Sequence, residues 1–558
     1  MKKNIYKVLG AGLLALTFNS CDLDINKDPY AVTQLDYSQL LTAAEYEVGA
    51  TFSEGYYLNA NFSAYVHHTC SREIDNYSLV SSYSTLGNTW SQAYRYALKN
   101  CDELISLGDA NGNLIYAGIG RVLKVHTAMA MVDLWGDIPY SEFNVAGIET
   151  PKADKSEDIY NELLVMINDA IANFTNTEAA NVLKPSTNDL FYKGDKDLWL
   201  KAANTLKLKL LVQSRNAKDK ITNWKQELDA IIADNNFIGD GEDLQFPHST
   251  AKTPLDERKA GFVDEYEGTQ KGVWISPWFY EILNGLTYNV KDNPMTGIKD
   301  PRVPYYYVNQ ITADAEAVND TDYRDGAFVS IMMGSLSGKS SATQDASMTC
   351  IGIYPVGGKY DDGNGCLVGP NAGTGIAPDK MLQAYSVPFM LAELVLAGEI
   401  EGDAKQYLVD GINASMYHVD AVSQAAKGNA TVPTISADDQ AKFVTAVCAA
   451  YEAASAERKM EIVMTQKWVA NFYNPVEAYN DIRRTGYPKL FTGEGGKAYT
   501  PYTQTAAPEA KLTEFEVAKI LDYPRIMWYP NSEVDTNPNI TNTGRDITKP
   551  TVFWDVKK

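Results

Sequence analysis

The chain has 558 residues and carries 71 Asp and Glu against 49 Lys and Arg, a formal net charge of -22. So acidic a surface repels phosphate backbones and anionic membranes, which excludes nucleic acid as a partner. Of six cysteines five follow Cys21, an odd count that leaves at least one free thiol and excludes a disulfide framework, and the length suits several domains or one large helical one.

The chain opens with Lys2 and Lys3, an apolar run from Val8 to Phe18, and Cys21 after small or polar residues. A basic start, a short apolar core and a cysteine at the cleavage point read as a secretory signal over 1–20, with lipid expected on Cys21 and a tether over 21–35. The run is too short to span a bilayer. Outside the cell, soluble cofactors such as ATP and NADH are lacking, which favours binding, transport or hydrolysis.

Helical periodicity governs the first and last thirds of the chain. Spacing predicts helices over 36–50, 89–107 and 114–134, the last apolar nearly all round and so buried. Ile159, Leu163, Ile167, Ile171 and Phe174 fall on one face of a further helix, with Ser156 as its expected N-cap and Glu157 and Asp158 in its first turn. Leu198 to Arg215 continues the pattern, as do 223–234, 379–398, 403–416, 437–452 and 455–472. Long helices with short connections predict an all-α dominated scaffold of helix-turn-helix pairs. Residues 36–558 read as one domain.

Residues 236–378 break the pattern. Gly, Pro, Asp, Asn and Tyr crowd into loops, as in Trp274 to Tyr280 and Gly357 to Gly365. Long irregular stretches inside a compact domain are usually functional, so this insert is the first candidate for part of a ligand surface. Structural capping of the core is the competing reading.

Four ordered strings make a resemblance specific: Trp135-Gly136-Asp137-Ile138-Pro139-Tyr140, Trp199 to Lys209, Asp300-Pro301-Arg302, and Gln466-Lys467-Trp468 followed by Glu477 to Pro488, which contains Arg483-Arg484-Thr485-Gly486-Tyr487-Pro488. With Asp24 to Pro29, Tyr523-Pro524-Arg525, Glu533 and Asn537, the chain resembles the SusD/RagB family over almost its whole length; Tyr479 stands where the branch usually has Trp. The resemblance implies tetratricopeptide-like helix pairs and a lipid-anchored protein on the outer face of the outer membrane. Asp22 and Asp24, beside Cys21, resemble a surface-export signal of such lipoproteins. It also implies a partner, a SusC-like TonB-dependent transporter that the protein covers as a lid, and a ligand that is either a glycan or, as in RagB-like members, a peptide. Ligand capture rather than catalysis is the implied task.

The motifs themselves read as structural. Arg483 and Arg484, at a helix end before Gly486, are expected to anchor carboxylates or carbonyls, and Trp135 to pack where a helix stops at Gly136. Ligand chemistry is therefore sought elsewhere. Sugars offer apolar C–H faces beside hydroxyls and call for aromatic platforms flanked by polar side chains. Two segments supply them: Arg72, Asp75, Asn76, Tyr77, Tyr83 and Trp90 in one, and Trp274, Trp278, Tyr288 and Asn289 in the other. Core packing competes for every one of these aromatics.

Other patterns carry less. Gly334 to Ser340 is one residue short of a phosphate-binding loop and lies outside the cell, and adjacent His67 and His68 point about 100° apart on a helix, which suits no zinc site. Asp361 to Gly365 and Asp240 to Asp243 offer oxygens to calcium but lack EF-hand spacing, so no cofactor is expected. A Cys350–Cys366 bridge in the Gly-rich loop is an open option. An extracellular hydrolase is the competing class, although no G-x-S-x-G elbow is present and carboxylate pairs prove nothing without geometry.

Overall fold

The computed structural model describes residues 36–52, 58–71, 86–268, 272–315, 322–336, 347–365, 372–490, 496–501, 513–517 and 523–556. Helices dominate these residues and stack in antiparallel neighbours, each burying one stripe against the next. The first run comprises α1 (Tyr37–Thr51), α2 (Leu58–Tyr65), α3 (Gly87–Gln92), α4 (Lys99–Ala110), α5 (Leu114–Trp135), α6 (Ser156–Thr175), α7 (Lys196–Ser214) and α8 (Trp224–Asp234). A π-helical segment, Ala93–Leu98, joins α3 to α4. After a short helix in the insert, α9 (Pro277–Leu283), the second run is α10 (Ser386–Leu396), α11 (Ala404–Ala426), α12 (Ala437–Ala453), α13 (Ala456–Ala470) and α14 (Pro475–Thr485). Contacts follow the chain: α4 lies on α5, α5 on α6, α6 on α7, then α10 on α11 and α13, while α7 touches α10 and α14 and so joins the two runs.

The reasons are local and legible. Helix α5 is apolar all round and buried at nearly every position, and it approaches α4 closely because Gly120 has no side chain. A Cβ there would stand 2.9 Å from the Ile105 side chain. The helix ends at Gly136, whose φ of 76° few other residues adopt. One continuous core then runs from Tyr37 to Trp554.

Two expectations are corrected. Ser156 is the first helical residue of α6 and not its cap; the free backbone N–H is satisfied from a distance, by Asp137 Oδ1 at 2.9 Å. Residues 379–398 are not one helix. Asp379–Leu382 is strand β10, antiparallel to β4 (Leu244–Phe246), and α10 starts only at Ser386. Burial of two opposite charges explains the switch. Asp379 accepts from Lys259 at 2.7 Å and lies 2.9 Å from His248 Nε2, while Lys380 donates to the carbonyls of Ala470 and Phe472 at the end of α13.

The insert is not structureless. Among its described residues are β5 (Val273–Ile275), β6 (Tyr307–Val308), β7 (Tyr323–Asp325), β8 (Phe328–Ser330) and β9 (Cys350–Ile351), which form short two-stranded pairs. Strand β5 pairs outside the insert, with β1 (Thr69–Ser71).

Candidate functional site

The β1–β5 pair sets Thr69–Ser71, which precede the first ligand segment in sequence, against Val273–Ile275, which hold Trp274 of the second. Cys70 stands opposite Trp274 and Ser71 opposite Val273, residues about two hundred positions apart. Cys70 Sγ lies 3.2 Å from Ser330 Oγ, and a small second core of Cys70, Trp274, Val308, Val329, Ile331 and Met348 sits beneath the strands. The pair is thus a base that continues, just past β5, into Trp278.

Helix α9 starts on that base. Ser276 caps it through the Trp278 N–H at 3.2 Å, and Pro277 occupies its first turn, where a missing N–H costs nothing. Trp278 is half-buried and its ring lies 4.3 Å, centroid to centroid, from that of His67. His67 takes a left-handed φ of 56°, and burial depresses its pKa to about 3, so Trp278 rests on a neutral ring. Tyr288, five residues past the end of α9, is also half-buried and packs against the core.

The remaining candidates separate by what they touch. Trp90 is only 3% exposed; it packs edge-on to Trp135 and donates to Glu533 Oε2 at 3.2 Å. Trp274 is 1% exposed and belongs to the second core. Asn289 has its amide committed: Nδ2 donates to Glu281 Oε1 and to the Tyr499 carbonyl, and Oδ1 accepts from Tyr499 N at 2.9 Å. These three are structural, because their faces or polar atoms are already occupied by protein. Arg72, Asp75, Asn76, Tyr77 and Tyr83 lie outside the described residues, as do Cys21 and Cys366. Sequence reading missed His67 as the support for Trp278; its only signal was position, directly before the strand.

Residues of the strings that carry the resemblance hold the scaffold, together with Asp133. Asp133 is the hub, accepting Tyr160 Oη at 2.5 Å and Trp554 Nε1 at 2.9 Å on one oxygen and Asn480 Nδ2 at 2.8 Å on the other. Burial raises its pKa to about 6. Arg483 donates to the carbonyls of Asp133 and Arg525 and packs its guanidinium on Tyr479 and Trp554. Arg302, fully buried, pairs with Asp300 at 2.6 Å and reaches Ser415 and Gln466. Trp199 donates to Asp189, and Trp135 to the Trp528 carbonyl. No group of three or more His, Cys, Asp or Glu side chains among the described residues is placed to hold a metal ion. The Asp361–Asn364 turn spends its oxygens on itself and Asn309.

A stacked helix-pair scaffold that carries a loop-rich insert, with a half-buried tryptophan beside a short strand pair, is the architecture of SusD-type proteins. A family model described as "Starch-binding associating with outer membrane" matches residues 29–504, and the chain belongs to this SusD-like family. Solved structures share the fold. A SusD homologue from Bacteroides fragilis superposes with a TM-score of 0.66 at 15% identity, over 94% of this chain and 100% of its own. A SusD/RagB family protein from Bacteroides thetaiotaomicron gives 0.65 at 19% identity, over 94% and 99%. A chitin-binding SusD homologue from Flavobacterium johnsoniae gives 0.64 at 18% identity, also over 94% and 99%. No curated protein sequence matches the chain. No described helix is long and apolar enough to cross a membrane.

Proposed function

We propose that this chain is a cell-surface nutrient-binding lipoprotein that captures glycan oligosaccharides and delivers them to a partner SusC-like TonB-dependent outer-membrane transporter. Lipid on Cys21 holds it to the outer membrane, 21–35 is the tether, and 36–558 is the binding unit. It has no catalytic role. The observation that carries the reading is the half-buried rings of Trp278 and Tyr288, which follow directly on the β1–β5 pair; Arg72, Asp75, Asn76, Tyr77 and Tyr83 follow β1 in sequence. Half-buried aromatic faces suit the apolar C–H faces of a sugar. The family description and the chitin-binding neighbour agree in ligand class.

Partly exposed platforms on a fixed base suit capture followed by release: stacking on a pre-set ring costs little ordering entropy, and contacts remain few enough to let go. Calorimetric titration of the full chain with neutral oligosaccharides tests the reading. Saturable binding without product formation is expected. Response to oligopeptides alone would make it a RagB-like peptide receptor, and product that scales with protein would make it a hydrolase.

A further inference from the structure

Residues two apart on a helix point about 200° from each other, so Trp278 and Tyr280 occupy opposite sides of α9. The Tyr280 side opens onto a cleft of about 910 Å³ between the insert and α12, whose wall includes Phe443 and Ala446. This volume is at the upper end for small-ligand sites and has room for more than one ring. None of the described ligand candidates (Trp90, Trp274, Trp278, Tyr288 and Asn289) lines it, although the insert that supplies most of its wall is the stretch from which a ligand surface is expected. We propose that this cleft is a second oligosaccharide site, distinct from the one at β1–β5, and that it selects uncharged, hydroxyl-rich chains.

The aromatic surface is preorganised. Tyr280 stacks on Phe328 with centroids 3.9 Å apart and planes at 20°, and Tyr360 sits edge-on to Tyr305 at 5.0 Å. Both tyrosines are half-buried and line the cleft, so each ring is held on one side by protein.

Two polar groups of the lining keep free acceptors. Asn284 spends its amide hydrogens on the Tyr280 carbonyl at 2.9 Å and Tyr307 Oη at 3.1 Å, which leaves its Oδ1 to accept. Asp325 takes the Tyr280 hydroxyl on Oδ2 at 2.9 Å and keeps Oδ1. Acceptors of this kind require a ligand that donates, as sugar hydroxyls do. Charge supplies the selection. Asp325, Asp361 and Asp439 line the cleft with Lys299 and Lys442, and Lys442 is already paired with Asp438 at 2.5 Å. Uronic or sulfated sugars meet net repulsion there.

The proposal takes its ligand class from the glycan-capture reading, so the test separates the two. The full chain and its Trp278→Ala, Tyr360→Ala and Asn284→Leu variants, checked for fold by circular dichroism, are titrated calorimetrically with cello-, malto- and chito-hexaose. Hydrogen–deuterium exchange with the same sugars is followed over 277–310 and 357–365. Binding that survives Trp278→Ala, weakens at least tenfold with Tyr360→Ala or Asn284→Leu, and protects those segments is expected. Binding abolished by Trp278→Ala, or untouched by both cleft variants, overturns the second site and leaves the first standing. No binding of any hexaose overturns both, and protection of the cleft by cationic oligopeptides alone overturns its ligand class.

Discussion

Arg484 grips Glu393 with both terminal nitrogens, Nη2 reaching Oε2 at 2.9 Å, and both side chains are wholly buried. The pair locks α14 onto α10, and Arg484 also holds Asp481 at 2.5 Å while Arg215 approaches Glu393 from α7's end at 3.0 Å. Part of the Arg483–Pro488 string is thus a clamp between helices. Bidentate geometry and a shared acceptor explain why arginine serves here and lysine does not.

Removing one partner leaves a buried charge without compensation. Arg484→Ala and Glu393→Ala should each cost about 3–5 kcal/mol of stability, read as a lowered urea midpoint. Sugar affinity of the protein that remains folded should be unchanged.

Acid should destabilise the fold from just below neutrality. Burial depresses the pKa values of His67, His68 and His126 from 6.5 to about 3. Their folded pKa values lie below the unfolded ones, so the unfolded chain binds more protons between pH 6.5 and 3, and their contribution, complete above 6.5, is lost as pH falls through that window. Asp133 and Asp243, raised by burial to about 6, act in the opposite sense between about 6 and 3.8. Glu393 adds to the loss lower down: burial would raise it, but Arg484 and Arg215 outweigh burial and hold it at about 2, so its stabilisation fades below 4.5. Urea unfolding at pH 7.5, 6.5 and 5.5 should show the midpoint falling with pH, each histidine weighing at most about 1.4 kcal/mol per pH unit.

Two tryptophans singled out in sequence should part company on mutation. Trp90→Ala empties a core position against Trp135 and should cost about 3–5 kcal/mol. Trp278→Ala removes a half-buried ring and should cost less stability while weakening binding at the β1–β5 site at least tenfold and leaving binding at the Tyr280–Tyr360 cleft in place. Thermal melts and titrations on the same samples check both.

How far sequence carries can be judged from these same residues. The boundaries of α5, α6, α12 and α13 follow from apolar spacing, because a long helix writes its buried stripe into a dozen positions. Strand β10 does not, because four residues hold no period and Asp379 and Lys380 were buried by partners distant in the chain. The π segment at Ala93–Leu98 is likewise silent. The structural role of Arg483 and Arg484 was legible from helix-end position and fork chemistry. Which aromatics stay exposed was not. Trp90, Trp274 and Trp278 look alike in sequence, and only the long-range β1–β5 pairing and the neighbours of each ring distinguish them. The tyrosines of the second cleft, Tyr280 and Tyr360, were noticed only as part of a crowded insert.

Intrinsic tryptophan fluorescence reports surface capture of glycans at the β1–β5 junction. The full chain and its Trp278→Ala variant are titrated with matched panels of neutral oligosaccharides and oligopeptides. Saturable quenching by oligosaccharides, much reduced in Trp278→Ala although the other eight of nine tryptophans remain, is the predicted result. A saturable response to peptides with none to any oligosaccharide would contradict it.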